Sequence, residues 1–337
     1  MPSDTPLPGA AALDELPGQP WWPQLTPPMR AIVTGMARAQ RAPLHTLTPQ
    51  QARQAYRSGA QVLEEDRPVQ VQHRDAHIPA RDGHALPVRL YTPQAQSGPA
   101  AAPWPVLLYL HGGGFVVGDL DTHDVLCARI AHNAQLAVLA LDYRLAPQWR
   151  FPTALHDGWD ALCWLTRHGA QWGLDGQRLA VGGDSAGGTL AAVLALMARD
   201  AALPLQAQLL IHPGTSAWQD TASHQRHARG PVLSAALLQW FFAHYIEPAQ
   251  RQDWRFAPLL APEVQAVAPA LFVLAECDPL CDEALAYADR LRMQAVPVEL
   301  ELYRGVAHEF IKMGRLLPEA AWAHAAIGQF LRARLHA

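Results

Sequence analysis

The sequence predicts an α/β fold: a mostly parallel sheet of about eight strands, covered by helices on both faces and topped by a helical cap. Three observations carry this. From residue 106 onward, short and nearly continuous apolar runs alternate with helical stretches, the pattern of strands buried on both faces. A long stretch between Ile211 and Leu271 interrupts that alternation with the aromatic run LSAALLQWFFAHYI, far more chain than a crossover needs. And half of the 337 residues are hydrophobic while 17% are charged, enough apolar material for a sizeable core.

The elements follow in order. Residues 1–68 read as a proline-punctuated leader and N-terminal cap helices, Met29–Arg41 and Thr48–Glu65, the second opened by Thr48-Pro49 as cap and first helical residue. Residues 69–337 hold the main domain. Val69–Arg74 and Leu86–Tyr91 alternate around the turn-forming Arg81-Asp82-Gly83, as an antiparallel pair does. Val106–Leu110, Leu136–Leu141, Leu179–Val181, Leu209–Ile211, Leu271–Ala275 and Val298–Tyr303 then read as buried strands. Thr153–His168, Gly187–Arg199 and Leu280–Gln294 are helices among them, and one more closes the chain at about Pro318–Leu335. The insertion, at about 214–250, joins the N-terminal helices as a lid over the carboxyl edge of the sheet.

Composition excludes several function classes. The net charge is −4 and basic residues are dispersed, which argues against a nucleic-acid partner. Lys312 is the only lysine, and nothing in the sequence explains that bias. Cys127, Cys163, Cys277 and Cys281 form no CxxC pair and no finger spacing, so reduced thiols are expected, including Cys277 and Cys281 four residues apart. Sixteen histidines raise the question of a metal, but there is no HExxH. His73, His77 and His84 fall in a polar strand-and-turn region and read as solvated. The start, MPSDTPLPGAAALDELPGQPWW, has neither the basic nor the apolar part of a secretory signal, and no run approaches the ~18 apolar residues of a membrane span. The expectation is a soluble, cytoplasmic monomer or homodimer with no membrane partner.

One segment asks for a chemical explanation. Gly183-Asp184-Ser185-Ala186-Gly187 fits G-x-S-x-G between a buried strand and a helix, where a tight turn holds a serine at the top of the sheet. The helix start adds free N–H groups and positive potential where an oxyanion would form. Taken alone, the pattern is equally a glycine-rich turn with an incidental serine. His111-Gly112-Gly113-Gly114 follows the strand Val106–Leu110, and its unshielded amides can supply half of an oxyanion hole, the amide of Ala186 the other half.

A serine hydroxyl needs a base, and the base an orienting carboxylate. Both are expected later in the chain, acid first, each after a strand. Leu271–Ala275 is followed by ECDPLCDE and Val298–Tyr303 by RGVAHEF, which makes Asp278 and His308 the matching pair. Glu276, Asp282, Glu283 and Glu309 compete for the acid role. Asp278 is preferred because Pro279 sets a turn after it, whereas Asp282 and Glu283 enter the first helical turn and serve its dipole. His324, inside the last helix, reads as a surface or packing residue.

HGGGF, DYRLAP, GDSAGG, DPL-x-DE and Gly-x-x-His-x-Phe together closely resemble the bacterial hormone-sensitive-lipase-type esterases of the α/β-hydrolase superfamily. The likeness spans nearly the whole chain, including HIPARDGHALPVRLYTP as the leading strands. It implies a serine carboxylesterase for short-to-medium acyl esters, working without metal or cofactor. It also implies Ser185 as nucleophile, His308 as base, Asp278 as its orienter, and Gly113, Gly114 and Ala186 as oxyanion donors. The family usually continues DYRLAP with glutamate; Gln148 stands here, which removes a charge and puts an ion pair at that place in doubt.

The remaining readings concern a neighbour of the serine, the cap and the reaction class. Asp184 is expected to bond nearby backbone rather than join the chemistry. Trp21 and Trp22 either line the acyl pocket or pin the leader to the lid, and Leu237, Trp240, Phe241 and Tyr245 either wall that pocket or pack the lid. The same triad serves amidases, lactonases and acyltransferases, and a non-catalytic receptor for a small ligand is the alternative of a different class, although such receptors usually lack a triad member.

Overall fold

In the computed structural model, which describes residues 13–94 and 103–336, eight strands form one sheet. They are β1 (Val71–Pro79), β2 (Ala85–Pro93), β3 (Trp104–Leu110), β4 (Ala137–Leu141), β5 (Leu174–Asp184), β6 (Leu205–Ile211), β7 (Ala270–Cys277) and β8 (Val298–Ala307). Their order is β1-β2-β4-β3-β5-β6-β7-β8, with β1, β2 and β4 paired antiparallel and every later pairing parallel. This is the α/β-hydrolase fold. The chain leaves β3 toward β4 on one side and returns to place β5 on the other. A crevice therefore opens at the carboxyl ends of β3 and β5, where such sheets bind ligands.

Side-chain alternation feeds two cores. Val106, Leu108 and Leu110 join one cluster with Leu139 and Val181, while Leu107 and Tyr109 join the other with Val138 and Ala180. Helices α3 (Asp124–Ala134) and α9 (Pro318–Leu335) cover the second face; α4 (Thr153–His168), α5 (Ala186–Asp200) and α8 (Cys281–Met293) cover the first. The central strands are dry on both faces and read as continuous apolar runs, but Val298–Tyr303, expected to be buried, lies in the edge strand β8, where Glu299, Glu301 and Leu302 are exposed.

Boundaries differ from the sequence expectation where side chains do not announce them. The N-terminal helices are α1 (Pro27–Arg38) and α2 (Pro49–Ala60) rather than Met29–Arg41 and Thr48–Glu65. Thr26 caps the first by accepting from Met29 N, and Thr48 and Gln51 form a reciprocal capping box on the second. Beyond Ala60 the backbone serves other partners: the Leu63 and Glu64 carbonyls accept from Arg315. The strand expected from Val69 starts at Val71, and the short runs at Leu179–Val181 and Leu209–Ile211 are parts of longer strands. Helix α3 is not among the helices expected from the sequence. It has no side-chain cap, and Val125, Leu126, Ala128, Ile130 and Ala131 are all buried, which blurs its polar face.

Between β6 and β7 lie two helices, α6 (Ala222–Arg226) and α7 (Ala235–Tyr245), the latter capped by Ser234 accepting from Leu237 N. The connection between them meets the N-terminal segment directly: Trp21 Nε1 donates to Arg229 O at 2.8 Å. No helix of the described residues is long and apolar enough to cross a membrane.

Candidate active site

Ser185 sits between the end of β5 and the start of α5 with φ +52° and ψ −119°, a conformation that costs energy outside glycine. Its backbone N–H donates to Ile211 O at 2.9 Å, which ties the turn to β6. The two flanking glycines are steric necessities. A Cβ at Gly187 would run into the Leu110 and His111 carbonyls, and one at Gly183 into the Leu110 carbonyl and the Gly187 backbone. The turn can therefore close only against the bare end of β3.

His308 follows β8 and Asp278 follows β7, and the two meet at Ser185. His308 Nδ1 lies 2.6 Å from Asp278 Oδ2, and His308 Nε2 lies 3.0 Å from Ser185 Oγ. An ionised carboxylate only accepts, so Nδ1 carries the proton and Nε2 is free to accept from the serine hydroxyl. The other Asp278 oxygen accepts from Leu280 N at 2.9 Å, the turn that Pro279 sets. Burial works against the imidazolium of His308, yet the Asp278 carboxylate outweighs it and holds the ring above its ordinary value. Burial likewise pushes Asp278 up, but the charge and hydrogen bond of His308 keep it below the usual carboxylate range.

The glycine loop after β3 is fixed from beneath. Tyr143 donates to His111 O at 2.7 Å, and the two rings stack at 4.2 Å. Asp184 is fully buried under the loop: Gly112 N donates to it at 3.0 Å, Tyr109 OH at 2.6 Å, and His123 Nε2 lies 3.2 Å away. Its burial is offset by the neighbouring His123, which holds the carboxyl well below its usual range. Asp184 thus braces the loop, and none of its hydrogen bonds among the described residues goes to His308. Gly113 (φ +116°) and Gly114 (φ +59°) line a cavity of about 1060 Å³ together with Ser185, Ala186 and His308. The amides of Gly113 and Gly114 have no acceptor among the described residues, so they are available to a ligand oxygen.

A family model described as alpha/beta hydrolase fold matches residues 107–312. A relative described as ethyl acetate hydrolase, from Pseudomonas putida, is 44% identical over 304 residues, 88% of this chain and 94% of the relative. The chain belongs to the hormone-sensitive-lipase-type esterases. It is a carboxylic ester hydrolase. The esterase LipI of Mycobacterium tuberculosis is 39% identical over 270 residues, 77% of this chain and 82% of that one. Among solved structures, an ester hydrolase from the metagenome of Lake Arreo, in complex with a bipyridine phosphonate derivative, gives a TM-score of 0.88 at 35% identity. That match covers 93% of this chain and 100% of the other.

The competing acids of this esterase are engaged elsewhere. Glu276 accepts from Gly305 N at 2.8 Å and Asp282 from Ser223 N at 2.7 Å. Glu283, expected merely to serve a helix dipole, is buried; it accepts from Thr215 N and Ser216 N and faces His224 Nε2 at 3.2 Å. His324 is a packing residue. Its Nε2 lies 3.2 Å from Ile311 O, and burial pushes its pKa down to about 4.

The cap residues divide. Trp21, Leu237 and Phe241 line the cavity; Trp22 and Trp240 do not. Leu237 and Phe241 are one helical turn apart on one face, whereas Trp240 points about 100° away from Phe241 and its ring sits 4.4 Å from that of His244. Trp22 is half-exposed beneath the Arg30 guanidinium. Tyr245 is buried and stacks on Phe115 at 3.9 Å, so it packs the cap onto the main domain. Trp21 does both jobs expected of the tryptophan pair, lining the cavity and tying the leader to Arg229. Gln148 accepts from Arg53 Nη2 at 2.9 Å, a neutral partner in place of an acid, and Arg53 also holds the Val116 and Ala146 carbonyls. The lone lysine is now placed. Lys312 lies at the cavity wall, 3.5 Å from Glu309 Oε2 and 3.3 Å from Tyr56 OH.

Proposed function

We propose that this chain is a serine carboxylesterase acting on short-to-medium acyl esters through an acyl-enzyme intermediate. The observation that carries the reading is the continuous Ser185–His308–Asp278 hydrogen-bonded chain, opening onto a cavity that Gly113, Gly114 and Ala186 also line. Ser185 Oγ attacks the ester carbonyl carbon while His308 Nε2 takes its proton. Asp278 stabilises the imidazolium that results and keeps the ring in the tautomer the step needs. The negative charge that develops on the carbonyl oxygen is received by the amides of Gly113, Gly114 and Ala186, reinforced by the positive end of α5. His308 then gives its proton to the departing alcohol, which leaves the acyl group on Ser185. A water molecule, deprotonated by the same imidazole, reverses the sequence and frees the acid.

The chain-length part of the reading rests on the cap. Leu237, Phe241 and Trp21 give the cavity an apolar wall, which favours acyl groups over charged ones and sets a limit to their length. Similarity to an ethyl acetate hydrolase from P. putida agrees with a short acyl group.

A panel of nitrophenyl esters of rising acyl length, assayed beside an amide and a lactone, tests this. Turnover of the esters with an optimum at roughly four to eight carbons is expected, since each methylene adds burial until the wall is met. Preference for the amide or the lactone would replace the reading. Covalent labelling by an organophosphonate should map to Ser185 alone, and a label on any other serine would reassign the nucleophile.

A further inference from the structure

Two groups of metal-ligating side chains lie close together among the described residues. In the first, His123, Asp184 and Glu309 are accounted for: Asp184 braces the glycine loop, His123 also contacts Thr122 Oγ1 at 2.9 Å, and Glu309 faces Lys312. The second consists of His212, Asp278 and His308, with one ligand atom of each within 4.8 Å of the others. Here His212 has no evident task. It follows β6, where its backbone N–H donates to Val273 O at 2.8 Å, and its ring tilts against that of His308 at 4.3 Å. The residue is 1% exposed, yet neither ring nitrogen has a hydrogen-bond partner among the described residues. Buried polar groups are nearly always partnered, so this imidazole is waiting for something.

We propose that His212, Asp278 and His308 form a site for a borderline-soft divalent cation of the Zn2+ or Cu2+ class, and that its occupation switches the esterase off. Two neutral imidazoles and a carboxylate select such ions over Mg2+ and Ca2+, which need more oxygen ligands. Asp278 sits against Nδ1 of His308, so an ion that uses both residues takes the place of the proton they share. The base then loses the partner that orients it. His308 is the only one of the three that lines the cavity, so the ion enters past its ring and inhibition develops slowly. The inhibition rests on the reading of His308 as base; the binding does not.

The test uses the full chain, stripped of metal with EDTA. Zinc is titrated by calorimetry, and nitrophenyl acetate hydrolysis is followed in parallel. The expected result is one high-affinity zinc per chain, a rate lowered at least tenfold with slow onset, full recovery with EDTA, and no effect of Ca2+. In H212N, where asparagine tolerates the positive φ of this position, both the dissociation constant and the half-inhibitory concentration should rise at least tenfold with basal activity kept. Absence of binding, or equal binding in H212N, overturns the proposal. Zinc that binds through His212 without slowing hydrolysis would count against His308 as base while leaving the site standing. Should H212N fail to fold, one equivalent of Cu2+ on the unmodified chain decides: its electron paramagnetic resonance should show two imidazole nitrogens, and fewer overturns the site.

Discussion

On the Ser185 side of the cavity the two buried carboxylates are held by hydrogen bonds from two sides or more, whereas the cap wall across the cavity is held almost wholly by apolar contact. Asp278 is fixed by His308 and Leu280 N, and Asp184 by Tyr109, Gly112 N and His123. Opposite them, Leu237 and Phe241 owe their places to packing, and Trp21 has one polar tie, to Arg229 O. Directional bonds in a dry site fix atoms closely, while apolar contacts allow several packings of similar energy. Substitutions at the sheet edge should therefore act on rate, and substitutions in the cap on selectivity.

The sharpest version of that contrast is S185A. Removing the proposed nucleophile should lower kcat on the order of 10⁶-fold, because the other members of such a triad have nothing to activate. Thermal unfolding should barely move, and a nitrophenyl ester should still bind. A residual rate near that of the unmodified chain would reassign the edge.

Next in size is D278N, with a loss on the order of 10⁴-fold, since an amide cannot hold His308 in the required tautomer. The pH profile of kcat/KM adds a sign. As the proposed base, His308 would work only when neutral, and Asp278 holds its pKa above the ordinary imidazole value, so the rising limb should lie above about 6.5. In D278N that support is gone, burial dominates, and the limb of the residual activity should move to lower pH. D282N, whose acid is bonded to Ser223 N, should keep both rate and profile. A collapse there would exchange the two roles.

Legibility follows the same division. Ser185, Asp278 and His308 could be read from sequence because each directly follows the last residue of a strand, Asp184, Cys277 and Ala307, and those strands carry apolar runs that the sequence shows. The glycines could be read because only they permit the approach of Leu110 O to Gly187. The cap could not be read to the same depth. Leu237, Trp240, Phe241 and Tyr245 are all large and apolar, and which of them meets the cavity depends on how the helix is rolled against the main domain. Helical spacing puts Leu237, Phe241 and Tyr245 on one face, but it does not say which face meets the cavity, so Trp240 stayed a candidate beside them. His212, Glu283 and Lys312 were hidden for a different reason: a single polar residue at a strand end or in a helix carries no sign that it will be buried.

Gly114 is where the two regions touch. A Cβ there would run into the Phe241 ring, and its φ of +59° already disfavours a side chain. G114A should cost roughly 10²-fold in kcat, as loss of one oxyanion donor does. Combining it with F241A removes the clash but not the backbone strain. The pair should recover about tenfold, a coupling near 1–2 kcal/mol. Strictly multiplicative effects would show that loop and cap act independently after all.

The smallest effect belongs to the cap alone. If Phe241 closes the end of the acyl pocket, F241A opens space there, and each further methylene accommodated gains about 0.8 kcal/mol, or roughly fourfold in kcat/KM. The optimum across the nitrophenyl series should then move to longer chains, while reactivity toward a small phosphonate stays as it was. Trp240 provides the control. It is adjacent in sequence and larger, but its ring lies against His244 and does not line the cavity, so W240A should leave the optimum where it is. Equal shifts in the two variants would mean that loosening the helix, rather than opening the pocket, alters selectivity. Loss of activity on all chain lengths in F241A alone would mean that its ring mainly supports Gly114, and the end of the pocket must then be sought at Leu237 or Trp21.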